Sequence, residues 1–190
     1  MRKIIFTCIV ALSFITATKA QKEVTINIQK SLVNWKGSML FGFGEHYGTT
    51  KFKKGKIILA NDKITGGTFV IDMNSIVNTD GKYNESLVDH LKNQDFFHVE
   101  KYPTTSLTIT EIEYQPNQKD LAIKSDLTIK GITHPVNYYG EIDMDKKMMK
   151  ARLVIDRTQW NINYGSRGIT NVRDLIISEA IKFEVVLHWK

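Results

Sequence analysis

From residue 23 onward, apolar side chains return at every second position, and this period decides the fold class. Val24, Ile26 and Ile28 alternate with Thr25 and Asn27. In GGTFVIDM (66–73), Phe69, Ile71 and Met73 share one face, and Thr68, Val70 and Asp72 share the other. Leu121, Ile123, Leu127 and Ile129 oppose Ala122, Lys124, Asp126, Thr128 and Lys130. Met149, Ala151, Leu153 and Ile155 oppose Lys150, Arg152, Val154 and Asp156. The C-terminal stretch repeats the pattern with Ile181, Phe183, Val185, Leu187 and Trp189. Successive side chains of a strand point to opposite faces, so these segments predict strands with one dry and one wet face, the habit of antiparallel sheets. Turn signals separate them at Lys54-Gly55, Asn61-Asp62, Asp80-Gly81, Pro116-Asn117, Lys130-Gly131 and Asp145-Lys146. The count is about eight strands. That many antiparallel strands close into a barrel or stack as a sandwich, because open edges invite pairing with other chains. No internal repeat or linker interrupts residues 21–190, which read as one all-β domain.

One segment breaks the pattern. In LVDHLKNQDFF (87–97), Leu87, Val88 and Leu91 fall on one helical face, with Asn84 as the expected N-cap and Pro103 barring continuation. A helix of about two or three turns is unstable alone. It must pack on the sheet, and an open barrel end is a surface it can cover.

The first twenty residues stand apart. Arg2 and Lys3 precede an apolar run from Ile4 to Ile15, and Thr18-Lys19-Ala20 offers small residues for cleavage. This pattern predicts a secretory signal peptide over 1–20, cut after Ala20, and a mature protein in the periplasm or secreted. The run is short for a membrane span, so no stable membrane anchor is expected. Cys8, the one cysteine, would leave with the leader, so the mature chain has no disulfide, thiol nucleophile or cysteine metal site. Losing Arg2, Lys3 and Lys19 lowers the formal charge from +6 to +3, which weakens any case for nucleic-acid binding.

Six motifs then occur in order: HYGTTKFKKGKI (46–57), GGTFVIDMNSI (66–76), LVDHLKNQDFF (87–97), YPTTSLTIT (102–110), LTIKGITHPV (127–136) and DRTQWNINYGS (156–166). Together they resemble the YceI-like, polyisoprenoid-binding family over essentially the whole mature chain. The resemblance implies an exported, lipocalin-like closed antiparallel β-barrel of about eight strands with one short helix in a connection. It also implies a lumen that holds a long-chain amphiphile, a polyisoprenoid or fatty-acid derivative. Phe96 and Phe97 would then be hydrophobic plugs where the chain re-enters the sheet. Asn27 and Ser38 depart from the acidic and basic residues frequent in the family.

The residues offer little for catalysis. His46, His90, His98, His134 and His188 lie on different elements without the spacing of a metal site. No serine sits in a Gly-x-Ser-x-Gly elbow. Asp156-Arg157 reads as an Arg–carboxylate pair locking the barrel rim. The chain therefore does not read as an enzyme, and no cofactor or metal is expected. The faces assigned inward do carry aromatic and flexible side chains: Trp35, Phe52, Phe69, Ile71, Met73, Tyr138, Trp160 and Phe183, with Phe97 beside them. They are the candidate ligand-binding residues of the lumen, and Trp35 and Trp160 suit a boundary between chain and head group. Arg167 and Arg173, in the glycine-containing loop NYGSRGITNVRD (163–174), are the candidate head-group residues. Three readings remain at this point: a lipid carrier, a barrel with a self-filled core that binds another protein, and an isoprenoid-modifying enzyme, the last with least support.

Overall fold

The computed structural model describes residues 21–41, 44–169 and 175–190. The leader expected at 1–20, with Cys8, and the head-group candidate Arg173 lie outside the described residues. The strands in chain order are β1 (Lys22–Thr25), β2 (Leu32–Ser38), β3 (Glu45–Ala60), β4 (Lys63–Asn78), β5 (Thr104–Tyr114), β6 (Asp120–Ile129), β7 (Ile132–Asp143), β8 (Met148–Asp156) and β9 (Ala180–His188). The helix α1 (Asn84–Lys92) lies between β4 and β5, and a 3-10 turn (Arg157–Trp160) follows β8.

From β2 to β9 every strand pairs antiparallel with its neighbour in sequence, and β2 pairs with β9 to close the ring. This is an up-and-down barrel of eight staves, the architecture that leaves no open edge. The extra strand is not a ninth stave. β1 and β2 lie end to end along β3, β1 against Lys56–Leu59 and β2 against Glu45–Thr50. Between them the chain makes a turn that the alternation did not foretell. The Asn27 carboxamide oxygen accepts from the N–H groups of Gln29 (3.2 Å) and Lys30 (3.3 Å). The Ser31 hydroxyl stands in for a missing strand partner, accepting from His188 N–H (2.9 Å) and donating to the His188 carbonyl (3.3 Å). Ile28, expected on the face of Val24 and Ile26, is therefore exposed, while those two are buried.

β3 and β4 are long, and register shifts at Thr49/Lys51, Phe52/Lys54 and Ile58/Leu59 bend them around the barrel. Gly48 makes the tightest approach. A Cβ there would lie 1.9 Å from the Val77 carbonyl oxygen and 2.7 Å from the Trp35 ring, so only glycine lets the strands close over the indole.

The alternation otherwise predicts the faces correctly. Met149, Ala151, Leu153 and Ile155 are all buried, as are Leu121, Ile123, Leu127 and Ile129. At the barrel end formed by the β3–β4, β5–β6 and β7–β8 hairpins, Ile57, Ile64 and Leu121 have no exposed surface, and Ile142 and Trp189 pack with them. That end is plugged. At the other end sits α1. Its N-cap is Tyr83, in the left-handed region at φ 52°, rather than Asn84. The Asn84 side chain instead accepts from the Asn78 amide (3.0 Å). Past the helix, Phe97 N–H donates to the Leu91 carbonyl (3.1 Å) and Val99 N–H to that of Lys92 (2.9 Å). This tight return turns Leu91 and Phe96 into the barrel.

Candidate functional site: an apolar lumen

The lumen holds a cavity of about 150 Å³, and its atom-free space with interstices and mouth included is about 1250 Å³. Its wall carries eight of the nine lumen candidates: Trp35 from β2, Phe52 from β3, Phe69, Ile71 and Met73 from β4, Tyr138 from β7, Phe183 from β9, and Phe97 after the helix. Phe52 and Phe69 meet edge to face with centroids 6.1 Å apart. Phe96 and Phe97 do so at 5.1 Å, where the helical segment closes over the wall.

Trp160 is the ninth, and the structure moves it off the lumen. The Asp156 carboxylate accepts from Thr158 N–H (3.0 Å) and from the Thr158 hydroxyl (2.6 Å), which starts the 3-10 turn and ends the strand period. Trp160 is thereby buried behind the cavity wall. Its N–H donates to the Leu127 carbonyl (3.3 Å), and its ring meets His134 edge to face at 5.3 Å. It holds the turn to β6 and β7 and is absent from the cavity lining.

Polar groups on or near the wall are mostly spent on each other. Ser125, which continues the inward series of β6, shares a hydrogen bond with the Tyr138 hydroxyl (2.9 Å). Burial pushes the Tyr138 hydroxyl up to about 12, with the Ser125 bond opposing, so the phenol stays neutral at physiological pH. Trp35 Nε1 is buried without an acceptor among the described residues. His46 and His134 are both hydrogen-bonded, to the Asp80 carboxylate (2.6 Å) and to the Gln159 carbonyl (3.0 Å). Among the described residues no group of three or more His, Cys, Asp or Glu could hold a metal ion.

The head-group candidate Arg167 is already neutralised. It grips Glu179 through Nε (3.2 Å), Nη2 (3.2 Å) and its own backbone N–H (3.0 Å), and these bonds lower the Glu179 pKa. Arg157 was missed as a wall residue, and it differs from the expected ion pair. It is completely buried and lies on the cavity wall. Its Nε donates to the Ser178 carbonyl (3.0 Å), Nη2 to Ile177 (3.2 Å) and Nη1 to Ile162. The Phe96 ring lies over its guanidinium at 5.6 Å. Burial pulls its pKa down while Glu179 and Asp156 act the other way, yet a guanidinium remains charged at any physiological pH. The signal for Arg157 was in the sequence: positions 149, 151, 153 and 155 face inward, and 157 continues the series. Leu91, Phe96, Thr50 and Thr105 also line the cavity and were not singled out as lumen residues.

The fold matches known proteins. The BcnA protein of Burkholderia cenocepacia is similar over 85% of this chain and 98% of its own, with a TM-score of 0.67 and 18% identity. The YceI protein of Campylobacter jejuni is similar over 74% of this chain and 84% of its own, with a TM-score of 0.55 and 19% identity. In sequence, the UPF0312 protein plu2095 of Photorhabdus laumondii is 36% identical over 53 residues, which cover 28% of this chain and 27% of that relative. Residues 24–189 match the YceI-like domain over almost all of the barrel. The chain belongs to the YceI-like domain family.

Proposed function

We propose that this protein is an exported carrier that sequesters a long-chain amphiphile, a polyisoprenoid or fatty-acid derivative, in the barrel lumen. The observation that carries this reading is the cavity itself, walled by aliphatic and aromatic side chains, plugged at one end and covered by α1 at the other. Each buried CH₂ gains about 0.8 kcal/mol, so a chain of ten or more carbons binds tightly without a polar contact. An apolar cavity of about 150 Å³ takes a ligand on the order of benzene without rearrangement. A longer chain therefore enters by displacing wall side chains, and Leu91, Phe96 and Phe97 are carried on the connection between β4 and β5 rather than on a stave. Outward positions such as Lys124, Asp126 and Lys150 are exposed and charged, the reverse of a membrane-spanning barrel with its apolar outer band. No helix among the described residues is long and apolar enough to cross a membrane. The basic, apolar and small-residue pattern over residues 1–20 supports export to the periplasm or beyond.

A chain-length series tests the proposal. With saturated alcohols, affinity rises roughly fourfold per added CH₂ until the lumen is full. Affinity that is flat with length, or no binding, would mean a self-filled barrel and favour the protein-interaction reading.

A further inference from the structure

We propose that Arg157 receives the head group of the lumen's ligand, and that this head group is a carboxylate at the end of the apolar chain. The inference rests on the carrier reading and adds the chemistry of the polar end.

Arg157 is a buried cation on the wall of an otherwise apolar cavity, and among the described residues its side chain's direct partners are all neutral: three backbone carbonyls and the face of Phe96. The two acidic groups that raise its pKa are engaged elsewhere, Glu179 with Arg167 and Asp156 with Thr158. A guanidinium carries five N–H donors, three of which are bonded to protein; the other two become open to an acceptor when the Phe96 ring, which lies over the guanidinium, is displaced by the entering chain. A buried ion without a contacting counter-ion is costly, and a planar carboxylate brings one negative charge and acceptors only. The charge count favours it over a phosphate monoester, whose roughly −1.5 to −2 would leave excess charge in the lumen.

Place agrees with chemistry. The Arg157 backbone N–H donates to the Glu179 carbonyl just beyond the last β8–β9 pair, at the barrel end that bears the helix. A carboxylate there lies near Phe96, with its chain running inward past Leu153 and Phe183 toward Met149 and Leu187. The three carbonyl bonds already fix the guanidinium, so little ordering cost remains when the ligand arrives.

The test compares hexadecanoic acid, its methyl ester, hexadecanol and hexadecyl phosphate on the full mature protein at mildly alkaline pH. The acid is expected to bind at least about tenfold tighter than the ester and the alcohol. Arg157→Met is expected to abolish that advantage, bringing the ratio of acid to ester affinity down to about one. Equal affinities for acid and ester in the native protein overturn the proposal and leave the carrier reading intact. A phosphate that binds tighter than the acid, or an acid preference that survives in Arg157→Met, also overturns it. Failure of all four ligands to bind sinks the carrier reading, and this proposal with it. Because Arg157→Met can simply unfold, an NMR titration of carboxyl-labelled acid bound to the native protein gives a second readout. The bound carboxyl is expected to titrate below its free value; titration above it means burial without a cation and overturns the proposal.

Discussion

Replacing Phe96 by Ala probes the claim that the helical segment is a docked cover. Phe96 is 5% exposed. Its ring touches Phe97 at 5.1 Å, His90 at 5.9 Å and the Arg157 guanidinium at 5.6 Å. Truncating a buried Phe to Ala costs about 3–5 kcal/mol in a filled core. Here one side of the ring faces the cavity, so fewer contacts are lost and about 2–3 kcal/mol is expected. For a domain of this size that lowers Tm by roughly 4–12 °C. No barrel hydrogen bond passes through the side chain, so the far-ultraviolet circular dichroism should be unchanged. Ligand release, followed by dilution of a fluorescent fatty acid, should quicken. A loss below about 1 kcal/mol with unchanged release would refute the argument, because the ring could not then hold the cover down.

Three further outcomes follow from specific contacts. Ser31→Ala removes both bonds to His188 at a site 3% exposed, and urea unfolding should show a loss of about 1–3 kcal/mol. Gly48→Ala sets a methyl against the Val77 carbonyl and the Trp35 ring, so a shifted Trp emission and a stability loss of more than about 2 kcal/mol are expected. The acid limb of stability should carry Asp80. Burial raises its pKa, but the Lys82 N–H, the Asn78 amide and His46 outweigh that and hold it at about 2, below the usual 3.8. A lowered folded-state pKa means stabilisation that is full above about pH 4 and lost as pH falls through about 2. Asp80→Asn should flatten the stability profile in that window, as read by thermal unfolding against pH.

Much of the architecture was legible because strand faces are encoded locally. The inward series 121 to 129, 149 to 155 and 181 to 189 needed only the period of two, and the helix needed only its break in that period. What the sequence hid was set by partners far away. Ile28 turns outward because Asn27 and Ser31 bond to His188, more than 150 positions on. Trp160 leaves the lumen because Asp156 caps a 3-10 turn instead of pairing with Arg157. Residue type alone places Arg157 at the rim, because arginine is rarely buried. Its burial depends on carbonyls of Ile162, Ile177 and Ser178, contributed by the loop before β9. Closure as a barrel rests on the β2–β9 pairing, which no local pattern marks.

A lumen that carries a lipid should hold one when the protein leaves the cell. The direct measurement is mass spectrometry of the protein purified under native conditions from its own source, before and after extraction with organic solvent. About one long-chain amphiphile per protein is expected, seen as a mass increment on the intact complex and recovered in the extract. A native mass equal to the polypeptide alone, with an extract free of any stoichiometric lipid, would contradict it.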